Sequence, residues 1–157
     1  MKIDQVAFYC PTFEGEQRIK QGLGLLDKEW VRDEVTARSR VLGGNGTWIE
    51  VEPQVAELQF NYDLGIEVEI LRYLNGMSWH DFSANAEYIA ARMSHVGMHV
   101  DEFPETIFPL VQETWTKKHT NEFLTNPNSR GYGRLYHYRV HHMGIGAYLK
   151  FIKRIDP

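Results

Sequence analysis

The chain has 157 residues, enough for one domain with a real core, and its 43% apolar and 24% charged residues are ordinary for a globular protein. Its net charge of −4 gives no long-range attraction to a phosphate backbone, so nucleic acid is not expected as a partner. No run approaches the ~18 apolar residues of a membrane span, and the lone Cys10 excludes an internal disulfide and a thiolate zinc site, which makes cytoplasm the default compartment.

Met1-Lys2 runs without a signal-peptide layout into residues 3–13 (I-D-Q-V-A-F-Y-C-P-T-F), a strand that leads into a helix. Thr12 is the expected N-cap, and Ile19, Leu23 and Leu26 form one apolar stripe on a helix reaching about Leu26. Strands are predicted at 30–41, 56–62 and 66–73, with a turn at Gly43-Gly44-Asn45-Gly46. Residues 75–93 join two halves and include a short helix over 81–91. Residues 93–103 (M-S-H-V-G-M-H-V-D-E-F) again read as a strand leading into a helix. That second helix follows Asp101 or Glu102 and turns Phe103, Ile107, Leu110, Val111 and Trp115 inward, with Pro109 kinking or delaying it. Strands at 121–125, 135–142 and 147–155 complete the pattern around a loop at 126–133.

The halves echo each other. Val6, Ala7, Phe8 and Phe13 fall on Val96, Gly97, Met98 and Phe103, while Gly65, Val68, Ile70 and Leu71 fall on Gly146, Leu149, Phe151 and Ile152. The expected fold is α+β, two βαβββ modules whose sheets form a shared cup. It makes a single domain over 1–157, with module one at about 1–75, a linker at 76–92 and module two at about 93–157. Dinucleotide, P-loop, H-E-x-x-H and C-x-x-C motifs are absent from the sequence.

This layout, carried by I-D-Q-V-A-F-Y, F-N-Y-D-L-G-I-E-V-E-I-L-R, S-H-V-G-M-H-V-D and G-A-Y-L-K-F-I-K-R, resembles the vicinal oxygen chelate superfamily. Glyoxalase I, extradiol dioxygenases, methylmalonyl-CoA epimerase and bleomycin-resistance proteins belong to it. The resemblance implies a central cup for a small organic molecule and four metal-ligand positions, which fall here on Gln5, Glu69, His95 and Lys150. Strand alternation puts Gln5 with Ala7 and Tyr9, Glu69 with Glu67, Leu71 and Tyr73, His95 with Gly97 and His99, and Lys150 with Tyr148 and Ile152.

Glu69 and His95 are ordinary ligands for a divalent metal and Gln5 a weak one, but a protonated Lys150 has no lone pair to give. Three readings follow. In the first, the cup binds a small molecule without metal through Gln5, Tyr9, Glu67, Glu69, Tyr73, His95, His99, Tyr148 and Lys150. Lys150 would then pair with Glu69 or clamp an anionic ligand. In the second, the chain is a lyase, isomerase or dioxygenase dependent on a divalent metal held by Glu69 and His95, with His99, Glu67, His137, His141 or His142 as substitute ligands. In the third, it is a protein-interaction domain. A homodimer is the expected assembly, through modules paired within or between chains.

Overall fold

The computed structural model describes residues 2–75, 91–118, 135–144 and 146–156. Its elements are β1 (Gln5–Tyr9), α1 (Phe13–Gly22), β2 (Val31–Leu42), β3 (Trp48–Asn61), β4 (Glu67–Tyr73), β5 (Arg92–Val100), β6 (Leu110–Lys118), β7 (Leu135–Gly144) and β8 (Ala147–Arg154). The strands close into a barrel in the order β1-β4-β3-β2-β6-β7-β8-β5. This corrects the expected α+β cup of two βαβββ modules: the described residues hold one helix, and the sheets join into a closed cylinder. The strand order within each half does repeat. The first strand of each half lies parallel to the last, β1 beside β4 and β5 beside β8, and the halves meet at the antiparallel seams β1–β5 and β2–β6.

The missing second helix has a local cause. Residues 101–109 form no helix or strand, and the stretch expected to continue the helix is strand β6. Pro104 and Pro109 each remove a backbone donor, and the residue before each is pushed towards extended backbone. The spacing of Ile107, Leu110, Val111 and Trp115 fits a helix, but Gln112, Thr114 and Thr116 alternate with Glu113 and Trp115 at the strand period. β-branched and aromatic residues in that run favour strand, and tertiary pairing with β2 and β7 settles the choice.

The helix that does form starts where Thr12 Oγ1 accepts from the Gly15 backbone N–H at 3.1 Å. It buries Gly15, Glu16 and Lys20 rather than the apolar stripe expected of it. Lys20 Nζ donates to Glu16 at 2.8 Å within the helix and to Gln59 of β3 at 2.9 Å, so a buried ion pair is anchored to the barrel wall by a hydrogen bond to Gln59. Leu26 is exposed and Leu25 buried, because the helix ends at Gly22 and the chain turns. The expected helix at 81–91, strand at 121–125 and loop at 126–133 lie at least partly outside the described residues.

The core fills one side of the barrel interior, with Ala7, Tyr9, Val35, Ala56, Leu58, Phe60 and Leu71 in one cluster. Tyr136, Tyr138 and Ile152 form another on the opposite wall. Eight strands give an interior that side chains can fill or that can hold one small ligand. At the β1–β5 seam, Gln5 and Gly97 are paired, and a Cβ at 97 would come within 2.7 Å of Gln5 Oε1. Glycine there lets the Gln5 side chain cross the seam on the inside. Gly97→Ala should destabilise the fold by about 1–3 kcal/mol through overpacking. Thermal melts are expected to fall by several degrees, whereas Gly44→Ala, with open space around its Cβ, should melt like the parent. Equal melting of both variants would refute this account of the seam.

Candidate functional site

Inside the barrel two connected recesses share Leu58, Glu69, Tyr138 and Lys150. The larger has a cavity volume of about 70 Å³ and the smaller about 30 Å³, and both open to solvent. Apolar Val35, Ala37, Ala56, Leu71 and Val140 line the larger recess beside Ser39, Gln112, Thr114 and Thr116. The smaller is lined by Gln5, Glu67, His99, Tyr136 and Ile152 among others.

Strand register explains why these polar groups meet. Gln5 pairs with Glu67 on one side and Gly97 on the other, and Gly97 pairs with Lys150. One level along, Ala7 lies between Glu69 and His95. The small residues Ala7 and Gly97 leave space that the long side chains beside them occupy. A bulge in β5 at this level brings Ser94 as well as His95 to the wall of the larger recess.

A directional chain of hydrogen bonds results. Tyr62 Oη donates to Glu67 Oε2 at 3.0 Å, and Gln5 Nε2 donates to Glu67 Oε1. The Gln5 amide therefore presents its oxygen to His95 Nε2, 2.8 Å away, and that nitrogen must carry the proton. His95 Nδ1 is then left to accept from Ser94 Oγ at 3.0 Å. Burial, reinforced by the Lys150 charge, lowers the His95 pKa to about 4, although Glu69 at 3.6 Å pulls the other way. His95 is neutral at pH 7.

A second histidine is set differently. Asp4 Oδ1 accepts from His99 Nδ1 at 2.9 Å, and both Asp4 carboxylate oxygens lie 3.3 Å from the His99 backbone nitrogen. His99 Nε2 then carries the lone pair and lies 3.9 Å from Glu67 Oε1, past hydrogen-bond reach. Lys150 Nζ sits 3.9 Å from the centre of the Tyr138 ring, whose hydroxyl accepts from Thr116 at 2.9 Å. Burial holds the Tyr138 hydroxyl far above its ordinary range, so it stays protonated.

Of the residues picked from sequence, Gln5, Glu67, Glu69, Tyr73, His95, His99 and Lys150 line these recesses. Tyr9 belongs to the core cluster, its ring 6.2 Å from that of Tyr73. Tyr148 packs against His142 and lines neither recess. His137 stacks on Trp115, and His141 Nδ1 bonds to the Phe108 carbonyl oxygen, so neither supplies a substitute ligand to the recesses. Sequence reasoning missed Asp4, Tyr62, Ser94, Gln112, Thr114 and Thr116. The polar alternation over 112–116 was the available signal for the last three, hidden by the helix expected there.

The donor set does not suit a resident divalent metal. The Lys150 ammonium shares the cavity with Glu69 and His95, and among the described residues no group of three or more His, Cys, Asp or Glu side chains could hold an ion. Cys10 offers no alternative chemistry, because burial pushes its thiol up to about 12. No family model matches this chain, and no curated protein matches it. Among the described residues no helix is long and apolar enough to cross a membrane.

The depressed His95 pKa sets a pH dependence. Unfolded histidine takes up its proton below about 6.5, while the folded side chain resists until about 4. Stability from this group is therefore complete above the unfolded pKa and is lost as pH falls through that window, by on the order of 3 kcal/mol at most. His137, also lowered by burial, contributes in the same direction. Denaturant titrations from pH 7 to 4 should show a shallower loss in His95→Gln than in the parent. Parallel curves would show that His95 does not carry the effect.

Proposed function

We propose that the barrel lumen binds a small organic molecule without a resident metal, and that the preferred ligand carries a positive charge on an apolar body. The single observation behind this is the charge of the lumen wall. Two buried carboxylates, Glu67 and Glu69, face one ammonium, Lys150, with His95 kept neutral. Buried carboxylates are costly unless compensated, and a ligand cation against this wall adds to the compensation that Lys150 and the hydrogen bonds from Gln5 and Tyr62 supply. This reverses the expectation of an anionic ligand clamped by Lys150. The apolar wall of Val35, Ala56, Leu58, Leu71 and Val140 accounts for the ligand body.

The repeated strand order supports a distant relation to the vicinal oxygen chelate superfamily, and the missing second helix counts against it. A cytoplasmic homodimer is part of the same proposal, supported for the compartment by the lone Cys10.

Benzyltrimethylammonium is a suitable probe, beside phenylacetate as the anion of similar size. Saturating ammonium should raise the melting temperature, with about 2.7 kcal/mol of stabilisation at a hundredfold excess over Kd. Phenylacetate should do little, a chelator should change nothing, and Glu69→Gln should weaken the response. Stabilisation that disappears with chelator and returns with zinc or manganese would favour the metal-dependent enzyme instead.

A further inference from the structure

The Asp4–His99 pair has the geometry of an acid–base dyad and opens on the smaller recess. Asp4 is held at the seam by its own backbone, its N–H bonded to the Gly97 carbonyl at 3.0 Å and its carbonyl accepting from the Glu67 N–H at 2.9 Å. Its carboxylate accepts the hydrogen bond from His99 Nδ1–H and also lies close to the His99 backbone nitrogen. This arrangement fixes both the tautomer and the ring orientation. The Nε2 lone pair is on the side of Glu67, and His99 lines the recess that Glu67, Glu69, Tyr138 and Lys150 also line. His95, on the same strand, is committed to Gln5 and Ser94 and does not compete for this role.

We propose that His99, oriented by Asp4, is a general base that activates water against a small ester or thioester whose positive charge is held by Glu67 and Glu69. The inference rests on the cation-binding reading of the lumen and adds a reaction to it. His99 Nε2 takes a proton from water as the water oxygen bonds to the carbonyl carbon. The tetrahedral intermediate then expels the leaving oxygen or sulfur, the bond from the carbonyl carbon to that atom breaks, and the imidazolium returns its proton to the leaving group. The products are a carboxylic acid, which ionises, and an alcohol or thiol. No oxidant, metal or cofactor is consumed. Asp4 is a positioning residue, since it acts through the imidazole.

Charged and titratable groups facing His99 are Asp4 from the segment before β1, Glu67 and Glu69 from β4, Lys150 from β8, and Tyr136 and Tyr138 from β7. The two nearest are carboxylates, which stabilise the imidazolium formed during proton transfer.

Acetylthiocholine is the probe, with thiol release followed by a chromogenic disulfide and benzyltrimethylammonium binding followed by thermal shift on the same preparations. The parent should hydrolyse acetylthiocholine above the buffer rate. His99→Gln should lose at least about a hundredfold of that enhancement while still binding the ammonium. Asp4→Asn should lower kcat more than it raises KM and should displace the pH profile, which a purely structural substitution would not do. A parent that binds ammonium yet hydrolyses nothing, or a His99→Gln variant as active as the parent, overturns the dyad and leaves the binding role standing. Hydrolysis by a parent that shows no ammonium binding would uphold the dyad and overturn the cation site.

Discussion

The hydrogen-bond chain from Tyr62 and Ser94 through His95 and Gln5 to Glu67 is the constraint on which the interior depends. Each member has a fixed polarity because Glu67 accepts from both Tyr62 and the Gln5 amide N–H, which turns the Gln5 oxygen towards His95. Gln5 belongs to β1, Glu67 to β4 and His95 to β5, so the same bonds that satisfy buried polar atoms also hold the β1–β5 seam from inside. Removing one member would leave its neighbour buried without a partner, which costs more than the bond itself contributes. The chain also fixes what His95 presents, with its proton on Nε2 towards Gln5 and its Nδ1 lone pair towards Ser94.

The other seam is closed from the opposite side. Between β2 and β6, Glu113 points outward and accepts from Arg40 of β2 at 2.8 Å and from Arg139 of β7 at 3.1 Å. On the inside the same seam carries Ser39 and Thr114, 2.7 Å apart. One junction therefore places its charged groups in the lumen and the other on the outer face of the sheet, where Glu113 is buried against Arg40 and Arg139, leaving hydroxyls within. The recess linings differ accordingly: Gln5, Glu67, Glu69, His95, His99 and Lys150 come from β1, β4, β5 and β8, whereas β2, β3 and β6 contribute hydroxyls, amides and apolar side chains to the recesses. An amphiphilic ligand matches that division.

Much of the charged wall was legible in the sequence. Alternation on β1, β4, β5 and β8 placed Gln5, Glu67, Glu69, His95, His99 and Lys150 on shared faces, because side-chain direction in a strand depends only on parity. Tyr9 and Tyr148 satisfied the same parity yet line neither recess, because parity fixes the face and not the depth along the barrel. Asp4 and Tyr62 lie at or beyond strand ends, where no alternation signals them. Ser94 reaches the lumen wall at a bulge, which parity arguments cannot anticipate. Thr114, Thr116 and Gln112 stayed hidden because one run of apolar residues fitted both helix and strand, and only pairing with β2 and β7 selects between them.

The sequence by itself determined the strands β1, β2, β4, β5, β7 and β8, the N-cap at Thr12 and the turn at 43–46, since these follow from local periodicity and backbone chemistry. Tertiary structure alone decided that the sheets close into a barrel, that residues 110–118 are strand, and that the buried face of α1 is an ion pair. It also decided the state of the two histidines. His95 and His99 are four positions apart on one strand, with the same side chain and the same face, yet one is neutralised by burial and the Lys150 charge and oriented by Gln5 while the other is oriented by Asp4. Partners that lie more than ninety residues away in the chain for His99, and ninety for His95, set that difference, and long-range contacts of this kind leave no local trace in sequence.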